Sequence, residues 1–238
     1  MKHSTLLFEI GVEEMPSSPL IAAAAELEAK AREALLTAGL TFDDLKVFFT
    51  PRRIALIVTE LSSMQADKTL VSKGPALKIA RDSEGNFSPA ALGFARGKGL
   101  SPEDLFVSEQ DGVEYLFAKQ EIKGLQTLEL LPELLNSLIS NLNWPKSMRW
   151  GNQDVKFIRP VRWILCLYGS ELVPLTYGLL ASETRSFGHR FLAPEAFEVS
   201  SLEDYKQKLK NAFVVLDADE RRASILKELG ELAQSYGE

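Results

Sequence analysis

A mixed α/β fold is predicted: one or two small sheets flanked by helices, followed by the start of a helical region. Three observations point there. Several segments carry apolar residues at helical spacing, others are short β-rich runs that alternate or are apolar throughout, and the two kinds interleave along the chain instead of segregating. Residues 5–10 read as a buried strand broken at Gly11. Ser18 can cap a helix with Pro19 in its first position, where the fixed φ fits and the missing N–H is not needed. The stripe Leu20, Ala24, Leu27, Ala31, Ala34 or Leu35, and Ala38 runs down this helix until Gly39 stops it. Residues 47–59 read as one strand, apolar on both faces from Ile54 to Val58, so each side of its sheet needs a cover. Pro51 places a bend or an edge at its beginning.

Residues 70–72 suit a short strand before a Gly74-Pro75 turn, 82–85 a turn, and 89–95 a short helix that ends among Gly93, Gly97 and Gly99. Residues 114–122 alternate like a strand. A helix over 127–141 carries Leu128, Leu131, Leu135, Leu138 and Leu142, with Pro132 tolerable only in or near its first turn. The run 155–168 reads as a strand, 172–177 as its partner across Gly169-Ser170, 196–199 as a short strand and 202–210 as a helix. Asp217 can cap a last helix with apolar Ile225, Leu226, Leu229, Leu232, Ala233 and Tyr236, a stripe still running at the last residue, as expected of a truncated chain. The domain reading is a mixed α/β region over 1–200, either undivided or as two lobes of about 1–123 and 124–200, then a helical region over 201–238. Phe48, Pro51, Arg53 and Leu56 echo Phe157, Pro160, Arg162 and Leu165, either as a duplicated strand start or by chance.

The 238 residues are 45% hydrophobic and 25% charged, enough for one large core or two small ones. A net charge of −6 argues against indiscriminate nucleic-acid binding and requires a local basic patch for any such role. One cysteine excludes an internal disulfide framework and Cys-rich zinc sites, and two histidines leave little for metal chemistry. Glu9, Glu13 and Glu14 interrupt the first apolar stretch, which is therefore no signal peptide, and no run reaches the length of a membrane helix. The expectation is a soluble, cytoplasmic protein.

No P-loop, nucleophile elbow or helical His pair is present, so an independent hydrolase built on Glu13 or His189 lacks its partners. His189, between aromatics, reads as a hydrogen-bonded structural group or an RNA contact, and Cys166, inside a strand, as inert. Glu9, Glu13 and Glu14 read as solvated charge or as partners of a nearby Arg. The stretch from Gly93 to Gly99 resembles a phosphate-cradling loop only superficially, since no strand precedes it. Charge placement is more informative. Between Trp144 and Arg190 stand Lys146, Arg149, Lys156, Arg159, Arg162, Arg185 and Arg190 against three acids, a net +4 beside −10 for the remainder. Trp144, Trp150, Phe157, Trp163, Phe187 and Phe191 are interleaved with them. Arginines offer planar donors to phosphate or carboxylate and aromatics offer stacking faces to unpaired bases. Arg52 and Arg53 join this patch if the two Pro-Arg strand starts are neighbours. The alternative is that these arginines pair with internal acids and fix loops.

An ordered set of motifs then stands out: Leu7-Phe8-Glu9-Ile10-Gly11-Val12-Glu13-Glu14-Met15-Pro16, Thr50-Pro51-Arg52-Arg53-Ile54-Ala55-Leu56, Lys73-Gly74-Pro75-Ala76 and Gly93-Phe94-Ala95-Arg96-Gly97. Pro145-Lys146-Ser147-Met148-Arg149-Trp150-Gly151, Phe157-Ile158-Arg159-Pro160-Val161-Arg162-Trp163 and Gly188-His189-Arg190-Phe191 complete it. The set resembles the N-terminal part of the β subunit of bacterial heterotetrameric glycyl-tRNA synthetase. Met15 stands where that family usually has Leu, a volume-conserving exchange. The chain is also several times shorter than the family's β subunit and lacks its later helical and anticodon-binding regions.

The resemblance implies a share in a ligase that joins glycine to tRNA(Gly) with ATP and magnesium in an α2β2 assembly. The α subunit holds the catalytic site with its ATP and magnesium, while β supplies tRNA recognition and is required for aminoacylation. The implied partners are the α subunit, tRNA(Gly) and a second β subunit, with no membrane and no cofactor in this chain. No catalytic residue is carried over. The expected tRNA or subunit contacts rest on charge and aromaticity: Arg52, Arg53, Lys146, Arg149, Trp150, Lys156, Arg159, Arg162, Arg185, His189 and Arg190. A scaffold role without direct RNA contact is the alternative.

Overall fold

A computed structural model describes residues 3–82, 84–151 and 154–236; Ser83, within the expected turn at 82–85, lies outside them. In chain order the first elements are β1 (His3–Val12), α1 (Ser17–Thr37), β2 (Asp44–Thr50) and β3 (Arg53–Ser62). Next come β4 (Lys68–Ala76), α2 (Leu77–Ala80), α3 (Pro89–Gly97), β5 (Phe106–Gln110) and β6 (Val113–Ile122). Then follow α4 (Thr127–Ser140), β7 (Val161–Tyr168), β8 (Glu171–Leu172), β9 (Thr176–Tyr177), β10 (Leu180–Glu183), β11 (Arg185–Phe187), β12 (Ala196–Glu198), α5 (Leu202–Asn211) and α6 (Ala218–Ser235). The class is mixed α/β, with three sheets among the described residues.

The chain forms two compact units, one of residues 1–65 with 125–238 and one of residues 66–124. This differs from lobes at 1–123 and 124–200, because the second unit is inserted into the first. The first unit is closed at the insertion point: the Gln65 N–H donates to the Leu125 carbonyl at 3.0 Å and the Leu125 N–H to Gln65 Oε1 at 3.0 Å. Residues 201–238 are helical, as α5 and α6, and belong to the first unit, with Tyr205 and Leu209 of α5 buried against the sheet.

In the first unit the strands run β2-β3-β1-β7-β10-β9, with β8 beside β7. β1 lies between β3 and β7, antiparallel to both. Alternation along β1 divides its side chains between two layers. Leu6, Phe8, Ile10 and Val12 share a core with Leu20, Leu27 and Leu35 of α1 and Leu131, Leu135 and Leu138 of α4. Leu7 faces the other way, with Ala55, Ile57, Leu165 and Leu167, under Val199, Tyr205, Leu209 and Leu216. Both faces are therefore covered, as the apolar run of β3 requires. Each fully buried Leu here contributes roughly 1.5–3 kcal/mol.

Several local readings change. Residues 47–59 are not one strand: β2 and β3 form a hairpin whose turn is Pro51-Arg52, with Thr50 opposite Arg53. β1 passes through Gly11 to Val12, and Gly11 has a packing reason, since a Cβ there would lie 1.9–2.4 Å from atoms of the Trp163 indole. α1 starts at Ser17 after Pro16 with no side-chain cap, not at a Ser18 cap. Its end follows expectation: Gly39 at φ 74 lets the Gly39 and Leu40 N–H groups return to the Leu36 and Leu35 carbonyls. Pro132 sits in the second turn of α4, beyond its first turn. Residues 155–160 are irregular, and β7 begins only at Val161. Only Glu171 and Leu172 pair with β7 across the turn; Thr176 and Tyr177 pair with β10 instead.

The second unit is an antiparallel sheet β4-β6-β5 with α2 and α3, around Ala80, Ala91 and Leu116. Gly74-Pro75 is not a turn but an irregularity within β4, where pairing shifts between Lys73 and Ala76. A Cβ on Gly74 would lie 2.5–2.9 Å from the Phe94 ring. The glycine-rich stretch 93–99 is the C-terminal half of α3 and the residues after it, the negative end of a helix dipole and so the wrong end for phosphate.

Candidate nucleic-acid interface

The C-terminal end of β1 is where the two Pro-Arg segments meet. The Val12 N–H donates to the Arg52 carbonyl at 2.8 Å, the Glu13 N–H to that of Pro160 at 3.1 Å and the Met15 N–H to that of Pro51 at 2.7 Å. The segments are thus neighbours across β1, but the echo between them is not kept in register. Arg53 and Trp163 both lie opposite Gly11, so Arg53 corresponds laterally to Trp163, not to Arg162. A shift of one residue reverses a strand's facing.

That difference decides the fate of each arginine. Arg53 is 1% exposed and turns inward to Glu9, which is fully buried. Its Nη1 donates to Glu9 Oε2 at 3.2 Å and to Ser186 Oγ at 3.1 Å, and its Nη2 to the Phe187 carbonyl at 2.5 Å. Tyr205 donates its hydroxyl to Glu9 Oε2, while Trp163 Nε1 and Ser186 Oγ donate to Oε1, the latter at 2.7 Å. Four donors on two oxygens meet the acceptor capacity of a carboxylate. Burial opposes the charge on Arg53, yet Glu9 and Tyr205 outweigh it and hold the guanidinium pKa above its ordinary value. Burial, then the Glu9 charge, push the Tyr205 hydroxyl well above its ordinary value. Glu9 is a partner of Arg, not solvated charge, and Arg53 is no external contact: its three hydrogen bonds are internal.

Arg162, 61% exposed on its side chain, faces out and reaches Glu13 at 3.4 Å; Arg190 reaches Glu13 at 3.8 Å and Glu14 at 3.5 Å. Arg52 is half-buried, with its guanidinium 5.7 Å from the centre of the Trp163 ring, where Arg53 lies at 5.6 Å. Burial, and then the charge of Arg53, lower the Arg52 pKa. His189 is exposed, and its Nδ1 accepts the N–H groups of Phe191 and Leu192, each at 3.2 Å, so it shapes the turn that carries Arg190 and Phe191. Gly188 lets that turn sit against the α5–α6 link, because a Cβ there would fall 2.5 Å from Ala212 Cβ and 2.7 Å from the Ala193 carbonyl oxygen.

Between these pieces lies a groove of about 420 Å³, lined by residues 50–53, 188–191 and 213–215 with Glu14 and Arg221. Arg221 donates to the carbonyls of Val215 at 2.7 Å, Leu216 at 2.9 Å and Phe49 at 3.2 Å, fixing its wall.

The other expected contacts lie elsewhere. Lys146, Arg149 and Lys156 are exposed, and Arg159 is half-buried with Nη1 on the Ile158 carbonyl at 3.1 Å. None of the four lines the groove. Arg185 pairs with Glu183, Nε to Oε2 at 2.6 Å. Trp150 packs partly buried against the main core, as does Trp144, so neither offers an open stacking face. Of the six interleaved aromatics only Phe191, 78% exposed, is open to solvent. Sequence reasoning missed Phe213 and Arg221 altogether; neither belongs to the basic run, and only the fold brings them to it. Burial pushes the Cys166 thiol well above its ordinary value, in line with an inert side chain. Among the described residues no cluster of three or more His, Cys, Asp or Glu is placed to hold a metal ion, and no helix is long and apolar enough to cross a membrane.

Residues 6–238 match the family model described as "Glycyl-tRNA synthetase beta subunit". Similar curated proteins are named "Glycine--tRNA ligase beta subunit". One from Syntrophotalea carbinolica is 44% identical over 98% of this chain and 34% of its own length. Others from Desulfitobacterium hafniense, 42% identical, and Lactobacillus delbrueckii subsp. bulgaricus, 40% identical, each match over 97% of this chain and 33% of their own length. The chain thus spans about a third of these relatives. It belongs to the glycyl-tRNA synthetase beta subunit family.

Proposed function

We propose that this chain is the tRNA-contacting N-terminal part of a cytoplasmic synthetase β subunit, and that the ligation of glycine to tRNA(Gly), with its ATP and magnesium, takes place on an α subunit in an α2β2 assembly. The observation that carries the RNA reading is the cationic rim at the end of β1, where Arg52 and Arg190 line an open groove and Arg162 joins Arg190 through Glu13, on a chain of net charge −6. Such a rim concentrates attraction for phosphate in one place while the rest of the surface repels it. Lys146, Arg149 and Lys156 provide further exposed cations for a long polyanion. Titration of the full-length subunit, with and without its α partner, against tRNA(Gly) tests this. Replacing Arg149, Arg159 and Arg162 together by Gln is expected to weaken affinity and flatten its dependence on salt; unchanged affinity and slope count against RNA contact.

A protein-contacting role finds support on α6. Ile225, Leu226, Leu229 and Leu232 are each more than half exposed, and RNA does not cover an aliphatic stripe. Retention of α but not of tRNA by the full-length subunit favours this assembly role.

A further inference from the structure

We propose that the groove beside residues 50–53 and 188–191 holds one unpaired RNA nucleotide, its phosphate at Arg52 and Arg190 and its base against the rings of Phe191 and Phe213. This rests on the tRNA reading above and gives it a local site. The groove's volume, about 420 Å³, lies in the range of roughly 300–1,000 Å³ usual for small-ligand sites. Arg52, Arg190 and Arg221 line it with charges not taken up by Glu9, against Glu14 in the lining and Glu13 beside Arg190, so an anion there meets a small excess of positive charge. Arg52, half-buried at the groove, also carries a buried donor without a partner, its Nε–H group. Buried donors left unmade are costly and mark a place where a ligand or water is wanted.

The aromatic side is equally specific. Phe191 is 78% and Phe213 62% exposed, so neither ring contributes much to the core. Phe213 is held at φ 58, a left-handed conformation that bulky residues rarely adopt. That conformation ends α5, the Phe213 and Val214 N–H groups returning to the Lys210 and Leu209 carbonyls at 3.2 and 2.8 Å, and it turns the ring out beside the groove at a position that glycine usually fills. Two flat faces beside a cationic groove fit a nucleobase with its phosphate, whereas an acidic peptide has no use for the rings. Glu13 and Glu14 hold the Arg190 guanidinium at the rim, and a bound phosphate shares it with them.

The test uses the full-length subunit, fluorescein-labelled tetra-adenylate RNA and, separately, tRNA(Gly). Phe191→Leu and Phe213→Gly are each expected to weaken tetra-adenylate binding at least about 5-fold. Phe213→Gly should do so with a Tm no lower than that of the parent, because glycine relieves the φ; a merely structural Phe213 moves only Tm. Arg190→Gln is expected to lower the slope of log affinity against log salt by about 0.7, one phosphate on a single strand. If the parent binds tRNA(Gly) but not tetra-adenylate, or binds both and no variant changes either, the groove assignment is overturned and the tRNA reading stands. If the parent does not bind tRNA(Gly) at all, the broader reading fails first. Tighter binding of an octaglutamate peptide, unaffected by Phe191→Leu, reassigns the groove to an acidic protein segment and also overturns the proposal.

Discussion

Replacing Glu9 by Gln leaves the Arg53 guanidinium buried without its counter-charge, and breaking one side of a buried pair costs about 3–5 kcal/mol. Glu9→Gln is therefore expected to lose most of the margin of a domain of ordinary stability, visible as a lower urea midpoint with an unchanged slope. Tyr205 makes a second prediction, with a defined sign. Its folded pKa lies well above the ordinary 10.0, first through burial and then through Glu9. The folded state thus keeps a proton that the unfolded chain releases. This stabilisation is complete below about pH 10 and is lost as pH rises above it. Tyr205→Phe removes one donor to Glu9, at a cost of about 1–3 kcal/mol near neutral pH, and is expected to show a shallower fall of Tm between pH 9 and 11. The sequence announced charge near Glu9 and Arg53 but not its direction. One residue of register separates an internal Arg53 from an exposed Arg162, and that register is set by the pairing of Gly11 with Arg53, 42 residues on, and with Trp163, 152 residues on.

At the level of elements, α5 and α6 follow each other in sequence and differ in what holds them. α5 buries Tyr205 and Leu209, while α6 buries no residue and is tied chiefly at its first turn, by the Asp217 cap and by Arg221. Helices without tertiary packing are marginal at such lengths. Hydrogen exchange on this chain is expected to show slow amides near Tyr205 and Leu209, and amides from about Ile225 onward that exchange orders of magnitude faster. Protection of α6 equal to that of α5 contradicts this. Both helices were legible, α6 from its Asp217 cap and apolar stripe, because those signals are local. The β2–β3 hairpin was not: Pro51-Arg52 carries none of the Asn-Gly or Asp-Gly chemistry that marks a tight turn. The two-residue strands β8 and β9 are too short to leave a period in the sequence.

For the whole molecule, the insertion of residues 66–124 between Gln65 and Leu125 makes a deletion informative. Those two residues already hydrogen-bond to each other, so a short Gly-Ser link replaces the insert with little loop entropy. The shortened chain is expected to unfold in one cooperative transition with a Tm within a few degrees of the parent; an unfolded product shows instead that the larger unit depends on the insert. No change of composition marks the joints at 65 and 125, which is why the sequence suggested consecutive lobes. The basic rim was half legible: Arg52 and Arg190 stood out by charge, whereas Phe213 and Arg221 reach it only because α5 returns the chain across the sheet. The Glu9 cluster also bears on synthesis. Tyr205 leaves the ribosome 196 residues after Glu9, roughly 10–40 s later at about 5–20 residues per second. Arg53 follows Glu9 by 44 residues, but Trp163, Ser186 and Tyr205 follow by 154, 177 and 196. For most of that interval the carboxylate therefore lacks its full set of donors and places a charge within the greasy run of Leu6, Leu7, Phe8 and Ile10, a gatekeeper against sticking to neighbouring chains.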